Sequence, residues 1–415
     1  MLDKQLRRVV VTGLGAVTPI GNTVDSFWNN VKEGTCGIKP ITAFDTSQYR
    51  VKLAASVDPF NMEEYFTLRE LKTCDRFTQF ARISAKQAML DAKLPDTIDY
   101  HRFGVIIGSG IGGVGSIESS HLQMIERGPT RVTPYFIPMA LVNLAAGQVA
   151  IDNHARGYCA CVVTACAAGA NAIGDAFHKI KFGLMDIMLA GGSEASITPL
   201  SIAGFMVMRA LNESTDPNRA SIPFDKERSG FVMGEGAGVL VLEEYEHALA
   251  RGAHIYAEIV GYGATCDAHH VTAPIESGDG GAQAMIMAMK EAGVQPSEVD
   301  YINAHGTSTP LNDKTETKAI KTALESYSST VAVSSTKSMT GHMLGAAGAV
   351  EAIISIKAIE EGFIPATINT NADDPECDLD VVPQSGRQHN VNVVLSNSLG
   401  FGGHNATLCF RKVNS

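Results

Sequence analysis

Cys166, His305 and His342 are the residues of this chain whose type and setting suit covalent chemistry. Cys166 stands in Val162-Val163-Thr164-Ala165-Cys166-Ala167-Ala168-Gly169-Ala170-Asn171, where an apolar strand runs into a small-residue turn and a helix opens. A thiol at a helix N-terminus faces unpaired backbone N–H groups and the positive end of the helix dipole, which favours thiolate and lowers the pKa. His305 lies in Asn303-Ala304-His305-Gly306-Thr307-Ser308-Thr309-Pro310, directly after a second apolar run. His342 lies at a third junction, Ser335-Thr336-Lys337-Ser338-Met339-Thr340-Gly341-His342-Met343-Leu344-Gly345. Glycine and hydroxyl neighbours leave an imidazole accessible for proton transfer. One thiol and two imidazoles at three strand-to-helix junctions predict a single shared nucleophilic site.

Lys337 and Glu351 flank His342. The segment 346–356 around Glu351 is otherwise nearly all small or apolar, so a carboxylate buried there needs a partner, and Lys337 is the candidate. Phe401 sits among glycines in Ser396-Asn397-Ser398-Leu399-Gly400-Phe401-Gly402-Gly403-His404-Asn405. Such a segment suits a mobile loop that aims a backbone N–H at the site, and equally an ordinary hairpin turn.

Two other patterns carry less. Gly108-Ser109-Gly110-Ile111-Gly112-Gly113 matches G-x-G-x-x-G after a strand, the form of a dinucleotide loop, but no acid for a ribose stands at the required distance; a tight turn beside a pocket is the better reading. Cys159 and Cys161 alternate on one strand face, and two thiols without further partners do not close a metal site. No metal or cofactor is expected.

The elements that must position these groups alternate. Arg8–Thr12, Phe103–Ile107 and Met185–Ala190 read as strands ending in glycine, with helical stretches between, which predicts an α/β fold with a mainly parallel sheet. The pattern then restarts. Tyr256-Ala257-Glu258-Ile259-Val260-Gly261-Tyr262-Gly263 echoes the opening strand and turn, and Val299–Gly306 echoes the second strand. A duplicated chain with halves 1–255 and 256–415 sharing one core is expected.

Composition narrows the class. The chain has 415 residues, 45% of them hydrophobic and 19% charged, with 40 glycines, enough for a large compact core with many tight turns. A formal charge of −11 opposes generic nucleic-acid binding, so an acidic partner must dock on a local basic patch. Arg69, Lys72 and Arg76 fall at helical spacings, and Arg127 and Arg131 lie in a Gly/Pro-containing loop; these five form a solvated face unless an acidic carrier binds there. The eight cysteines without paired spacing fit a reducing compartment. Thr12-Gly13-Leu14-Gly15 interrupts the apolar run after Arg8 before a signal core or membrane span forms, which predicts a cytoplasmic chain without membrane insertion.

Together these segments resemble the β-ketoacyl-[acyl-carrier-protein] synthases, the elongating condensing enzymes of fatty-acid synthesis, most closely the synthase II group of bacterial type II systems. The likeness spans nearly the whole chain and rests on Thr164-Ala165-Cys166, Asn303–Pro310, Ser335–His342 and Gly400–Gly403, in the family's order. It implies the thiolase fold, five layers αβαβα built from two βαβαβαββ halves, in a homodimer. It implies that Cys166 would be the nucleophile, that His305 and His342 would promote decarboxylation, and that Lys337 with Glu351 would support them. Phe401 would be the gatekeeper, and its N–H with that of Cys166 would form the oxyanion hole. Thr307 and Thr309 would hold the pantetheine arm, and Ile111 would line the acyl pocket. The implied partners are acyl and malonyl thioesters of acyl carrier protein. His404 departs from many synthase II sequences, where threonine follows the glycines, and Leu399 is often phenylalanine. A cysteine hydrolase lacks a role for the second histidine, and a non-catalytic relative would lack Cys166. Free-standing polyketide ketosynthases share the same motifs and stay open.

Overall fold

A computed structural model describes residues 6–413. Ten strands form its central sheet: β1 Val9–Val17, β2 Phe103–Gly108, β3 Cys159–Ala160, β4 Ile187–Glu194, β5 Gly236–Glu244, β6 Ala257–Cys266, β7 Tyr301–Asn303, β8 Ala332–Ser334, β9 Val393–Gly400 and β10 His404–Arg411. Their spatial order is β8-β7-β9-β10-β6-β1-β5-β4-β2-β3. Read outward from the centre, β1-β5-β4-β2-β3 and β6-β10-β9-β7-β8 are the same arrangement, each strand of the second set matching the strand five places earlier. The duplication is therefore built into the sheet, whose two halves join where Val9–Val11 pairs with Ala257–Ile259.

The sheet is mixed, not mainly parallel. In each half the two outer pairings are parallel and the two inner ones antiparallel, and β1 meets β6 antiparallel. The last strand of each half returns antiparallel beside its predecessor: β4 and β5 are joined by a long connection that includes helices, while β9 and β10 are joined by a short hairpin, which forces antiparallel pairing.

Six helices complete five layers. α1 Arg76–Ala92 and α2 Leu144–Asp152 cover the outer face of the first half, packing Phe77, Phe80 and Val149 against Val105, Leu189 and Val241. α4 Asp279–Ala292 and α5 Pro310–Leu324 cover the second half through Met285, Ile320, Ile302 and Leu395. α3 Ala168–Lys181 and α6 Ala347–Glu361 lie between the two halves in the largest apolar cluster. A helix enclosed between sheets is apolar or small all round, which is why α3 and α6 are so rich in Ala, Gly and Ile. Glycine sets the depth of packing at equivalent places: a Cβ on Gly15 of β1 would lie 1.9 Å from the Ser84 carbonyl oxygen of α1, and one on Gly263 of β6 would lie 1.9 Å from the Ala284 oxygen of α4.

Candidate active site

Cys166 is the middle residue of a single 3-10 turn, Ala165–Ala167, that leads from β3 into α3. Ala165 has φ +50°, the left-handed region, so the backbone turns sharply and presents the thiol. His305 follows β7, with its backbone N–H and that of Gly306 donating to the Glu316 carboxylate at 2.8 and 2.7 Å. His342 belongs to the second half, yet segment 232–234 of the first half holds its backbone: its N–H donates to Val232 O at 2.7 Å, and Gly234 N–H donates to its carbonyl at 2.8 Å.

The fold brings these groups to one cavity of about 390 Å³, lined among others by Cys166, His305, Thr307, Thr309, His342 and Phe401. The two imidazoles meet edge-on, centroids 5.2 Å apart. Thr307 and Thr309 share a hydroxyl contact of 2.9 Å on the cavity wall. Buried Arg228 fixes that wall by donating to the Thr309 and Pro310 carbonyls at 3.3 and 3.0 Å. Phe401 is on the hairpin between β9 and β10, and its ring begins an aromatic file through Phe205 and Phe231 to His342. A hairpin turn and a loop aimed at the site are thus the same object. Gly400 packs so closely on the Cys166 turn that a Cβ there would lie 2.9 Å from Thr164 O and 3.2 Å from Cys166 N.

Electrostatics corrects one expectation. Burial pushes the Cys166 thiol up to about 12, although Lys337 and the N–H groups of Phe401 and Cys166 itself act in the other direction. The positive end of α3 does not outweigh loss of water around a thiol with 8% exposure. Burial, helped by Lys337, holds both His305 and His342 well below the usual histidine range, so both are neutral at pH 7. Each Nδ1 is buried without a hydrogen-bond partner. An orphaned buried N–H is costlier than an orphaned lone pair, so the ring proton belongs on Nε2. Lys337 Nζ meets Glu351 Oε1, both side chains almost fully buried.

The remaining expected residues fall as follows. Ile111 is outside the cavity lining but packs in the apolar cluster that contains Cys166, Leu344 and Ile202. The loop 108–113 holds an internal anion: Glu194, at the end of β4, accepts from the N–H groups of Gly110, Ile111, Gly112 and Gly345 and from the hydroxyls of Ser109 and Ser196, at 2.7–3.3 Å. A glycine-rich anion cradle filled by the chain's own carboxylate has no room for a pyrophosphate. Arg69, Lys72 and Arg76 do not share a helix face: Arg69 is in a one-turn helix ending at Leu71, and Asp75 caps a new helix that begins at Arg76. Arg76 is tied to buried Glu235 at 2.7 Å and stacked on Phe80. Arg69 and Lys72 are exposed, as are Arg127, the last residue of helix Val114–Arg127, and Arg131 in the 3-10 turn Pro129–Arg131.

Glu194, Glu316 and Arg228 were missed in the sequence. Only Glu194 left a trace there, as the acid ending an apolar strand opposite an unexplained glycine loop.

A buried cysteine and two neutral histidines at the junctions of a duplicated five-layer fold define a thiolase-fold condensing enzyme. Residues 6–248 match the N-terminal domain of β-ketoacyl synthases and residues 256–371 the C-terminal domain, so the chain belongs to the β-ketoacyl synthase family. It is 52% identical over 414 residues to the 3-oxoacyl-[acyl-carrier-protein] synthase 2 of Synechocystis sp., covering 99% of this chain and 100% of that one. It is 51% identical over 411 residues to the protein of the same name from Staphylococcus aureus strain COL, covering 98% and 99%. Among solved structures, a type II polyketide ketosynthase bound to its acyl-carrier protein superposes with a TM-score of 0.92 at 38% identity, covering 99% of this chain and all of that one. A β-ketoacyl synthase from Burkholderia phymatum gives 0.90 at 34%, covering 98% of this chain and all of that one.

Proposed function

We propose that this protein condenses an acyl group with a malonyl unit, both delivered as thioesters of acyl carrier protein, to give a 3-oxoacyl thioester extended by the two malonyl carbons that remain after CO₂ is lost. The observation that carries the reading is the meeting of one thiol from the first half with two neutral imidazoles from the second, in a cavity that also receives the Phe401 N–H. Cys166 attacks the acyl carbonyl, the tetrahedral oxyanion is held by the N–H groups of Cys166 and Phe401, and the carrier's thiol leaves with the proton. A neutral imidazole is the group in reach of that proton. Malonyl thioester then loses CO₂; the electron pair passes into an enolate whose oxygen accepts from His305 and His342 Nε2–H. The enolate carbon attacks the Cys166 acyl group, the C–S bond breaks, and the departing Cys166 thiolate takes a proton from solvent to restore the thiol. Burial keeps both imidazoles uncharged, with Lys337 adding to it, and Glu351 holds Lys337 in place.

Thr307 and Thr309 hold the pantetheine arm along the cavity wall, and Ile111 borders the acyl chain. Arg69, Lys72, Arg127 and Arg131 offer exposed cations to an acidic carrier; Arg76, already paired, contributes less. The division into 1–255 and 256–415 follows the repeat. A homodimer fits the sheet edges. In the second half, β8 is capped by the chain's own Asp380, which pairs with Ala332 and accepts Val333 N–H at 2.8 Å. At the other end no strand lies beyond β3 among the described residues; Tyr158, Cys159 and Val163, in or near that strand in the chain, are exposed, and so are Ile125 and Leu141. Ile125→Asp combined with Val163→Glu should halve the mass found by light scattering, and an unchanged mass would remove this interface.

Relatives at 51–52% bear the fatty-acid-type name, against 38% for the polyketide structure, which favours the fatty-acyl reading. Mass spectrometry after adding long-chain acyl carrier protein, then malonyl carrier protein, tests it. An acyl adduct on the Cys166 peptide should vanish as 3-oxoacyl product appears. Release of free acid instead would indicate a hydrolase, and Cys166→Ala should carry no adduct while still decarboxylating malonyl thioester.

A further inference from the structure

Thr164, two residues before the nucleophile, donates its hydroxyl to Asn171 Oδ1 at 2.6 Å, and Asn171 Nδ2 donates to the Tyr262 hydroxyl at 2.6 Å. Thr164 and Asn171 belong to the first half, at the turn and first coils of α3. Tyr262 is on β6, in the half that supplies both histidines. The same tyrosine is gripped a second time: its backbone N–H donates to Glu291 Oε2 at 2.9 Å, and Glu291 Oε1 accepts from Lys181 at 2.7 Å and lies 2.9 Å from His178 Nε2, both at the far end of α3. Its ring lies on Gly174, where a Cβ would come within 2.4 Å of it.

The duplication supplies an internal control. α3 and α6 start at equivalent places, Ala168 and Ala347, so Met343 and Val350 correspond to Thr164 and Asn171. Gly15 and Gly263 correspond likewise, which sets Leu14 opposite Tyr262. All three counterparts are apolar and lie in the common core. The hydrogen-bonded chain is present only where a helix carries the nucleophile, although apolar packing suffices to dock the other.

We infer that Thr164, Asn171 and Tyr262 are positioning residues for acyl transfer: a cross-half strut that holds the Cys166 turn in register with the histidines. This rests on the condensing role proposed above. Buried polar chains hold a unique geometry when every member is satisfied, and loss of one member frees the rest to shift. A turn that sets a nucleophile against its oxyanion donors is sensitive to displacement of about 1 Å, on the order of a hundredfold in rate.

The test uses the full chain and separates two half-reactions. Single-turnover acylation of Cys166 by an acyl thioester reads the turn; decarboxylation of malonyl carrier protein reads the histidines. In Tyr262→Phe, the acylation rate should fall about tenfold or more with the half-saturating thioester concentration unchanged, while decarboxylation stays within about twofold. Gly174→Ala, which lifts the ring without removing any polar group, should reproduce the effect if Tyr262→Phe fails to fold. Acylation at the wild-type rate in Tyr262→Phe overturns the strut and leaves the condensing role standing. Equal loss of both half-reactions overturns it as well, assigning these residues to general stability. Wild-type protein that forms no acyl-cysteine would overturn the condensing role itself, and the strut with it.

Discussion

Gly345 stands in the second half where Cys166 stands in the first. Each is the middle residue of a three-residue 3-10 turn, Ala165–Ala167 and Leu344–Ala346, entered through a left-handed residue, Ala165 at φ +50° and Leu344 at φ +45°. The duplicated fold therefore makes two identical elbows and arms only one. At the other, absence of a side chain is the functional property, because the Gly345 N–H donates to Glu194 and its Cα lies against the glycine loop.

A methyl group on Gly345 would lie 2.3 Å from Gly110 N and 2.7 Å from Ser109 backbone atoms. Backbone must move to admit it. Gly345→Ala should lose about 1–3 kcal/mol of stability, measured by urea unfolding, and an unchanged midpoint would refute the clash.

Gly400→Ala should act on chemistry more than on stability. Its Cβ would press on Thr164 O and Cys166 N and push the Phe401 N–H away from the thiol. Loss of one oxyanion donor costs on the order of a hundredfold, read as the single-turnover rate of Cys166 acylation. A rate within threefold of wild type would separate Phe401 from the oxyanion hole.

The resting thiol titrates near 12 because burial dominates. Below that pH the thiolate fraction rises tenfold for each unit. Alkylation of the Cys166 peptide by iodoacetamide should therefore climb about tenfold per unit from pH 7 to 9 without levelling. A plateau below pH 8 would mean that the helix terminus, not burial, sets the charge.

Lys337→Met leaves Glu351 buried without its partner and should cost about 3–5 kcal/mol. Replacing both, Lys337→Met with Glu351→Leu, should recover much of that stability in urea while condensation stays impaired, since the cation that adds to burial in keeping His305 and His342 neutral is gone. Equal destabilisation by the single and double changes would show that the two residues do not act as a pair.

Much of the site was legible from junctions. Cys166 and His305 each sit just after an apolar run that meets small residues, a local pattern that marks a group presented past a strand, while His342 was marked by the glycine turn before a small-residue helix and in fact follows the short helix Lys337–Thr340. The glycine loop at 108–113 was legible as a tight turn but not as an anion cradle, because Glu194 is 84 residues from Gly110 in the chain and adjacent only in space. Arg76 looked free at helical spacing, and its partner Glu235 is 159 residues away. The inner antiparallel pairings were hidden for the same reason, since strand direction depends on how the chain returns rather than on what the strand contains.

By itself the sequence determined the order of strands and helices, the repeat, and which three side chains are the candidates for the chemistry, because periodicity and small-residue turns are local properties of the chain. Only the tertiary structure decided the protonation states and the alignment. The thiol stays protonated and the imidazoles neutral because folding the two halves of the sheet around α3 and α6 removes water from all three. The nucleophile faces the histidines because a hydrogen-bonded chain from Thr164 to Tyr262 crosses the boundary between the halves, a contact between residues that no local rule relates.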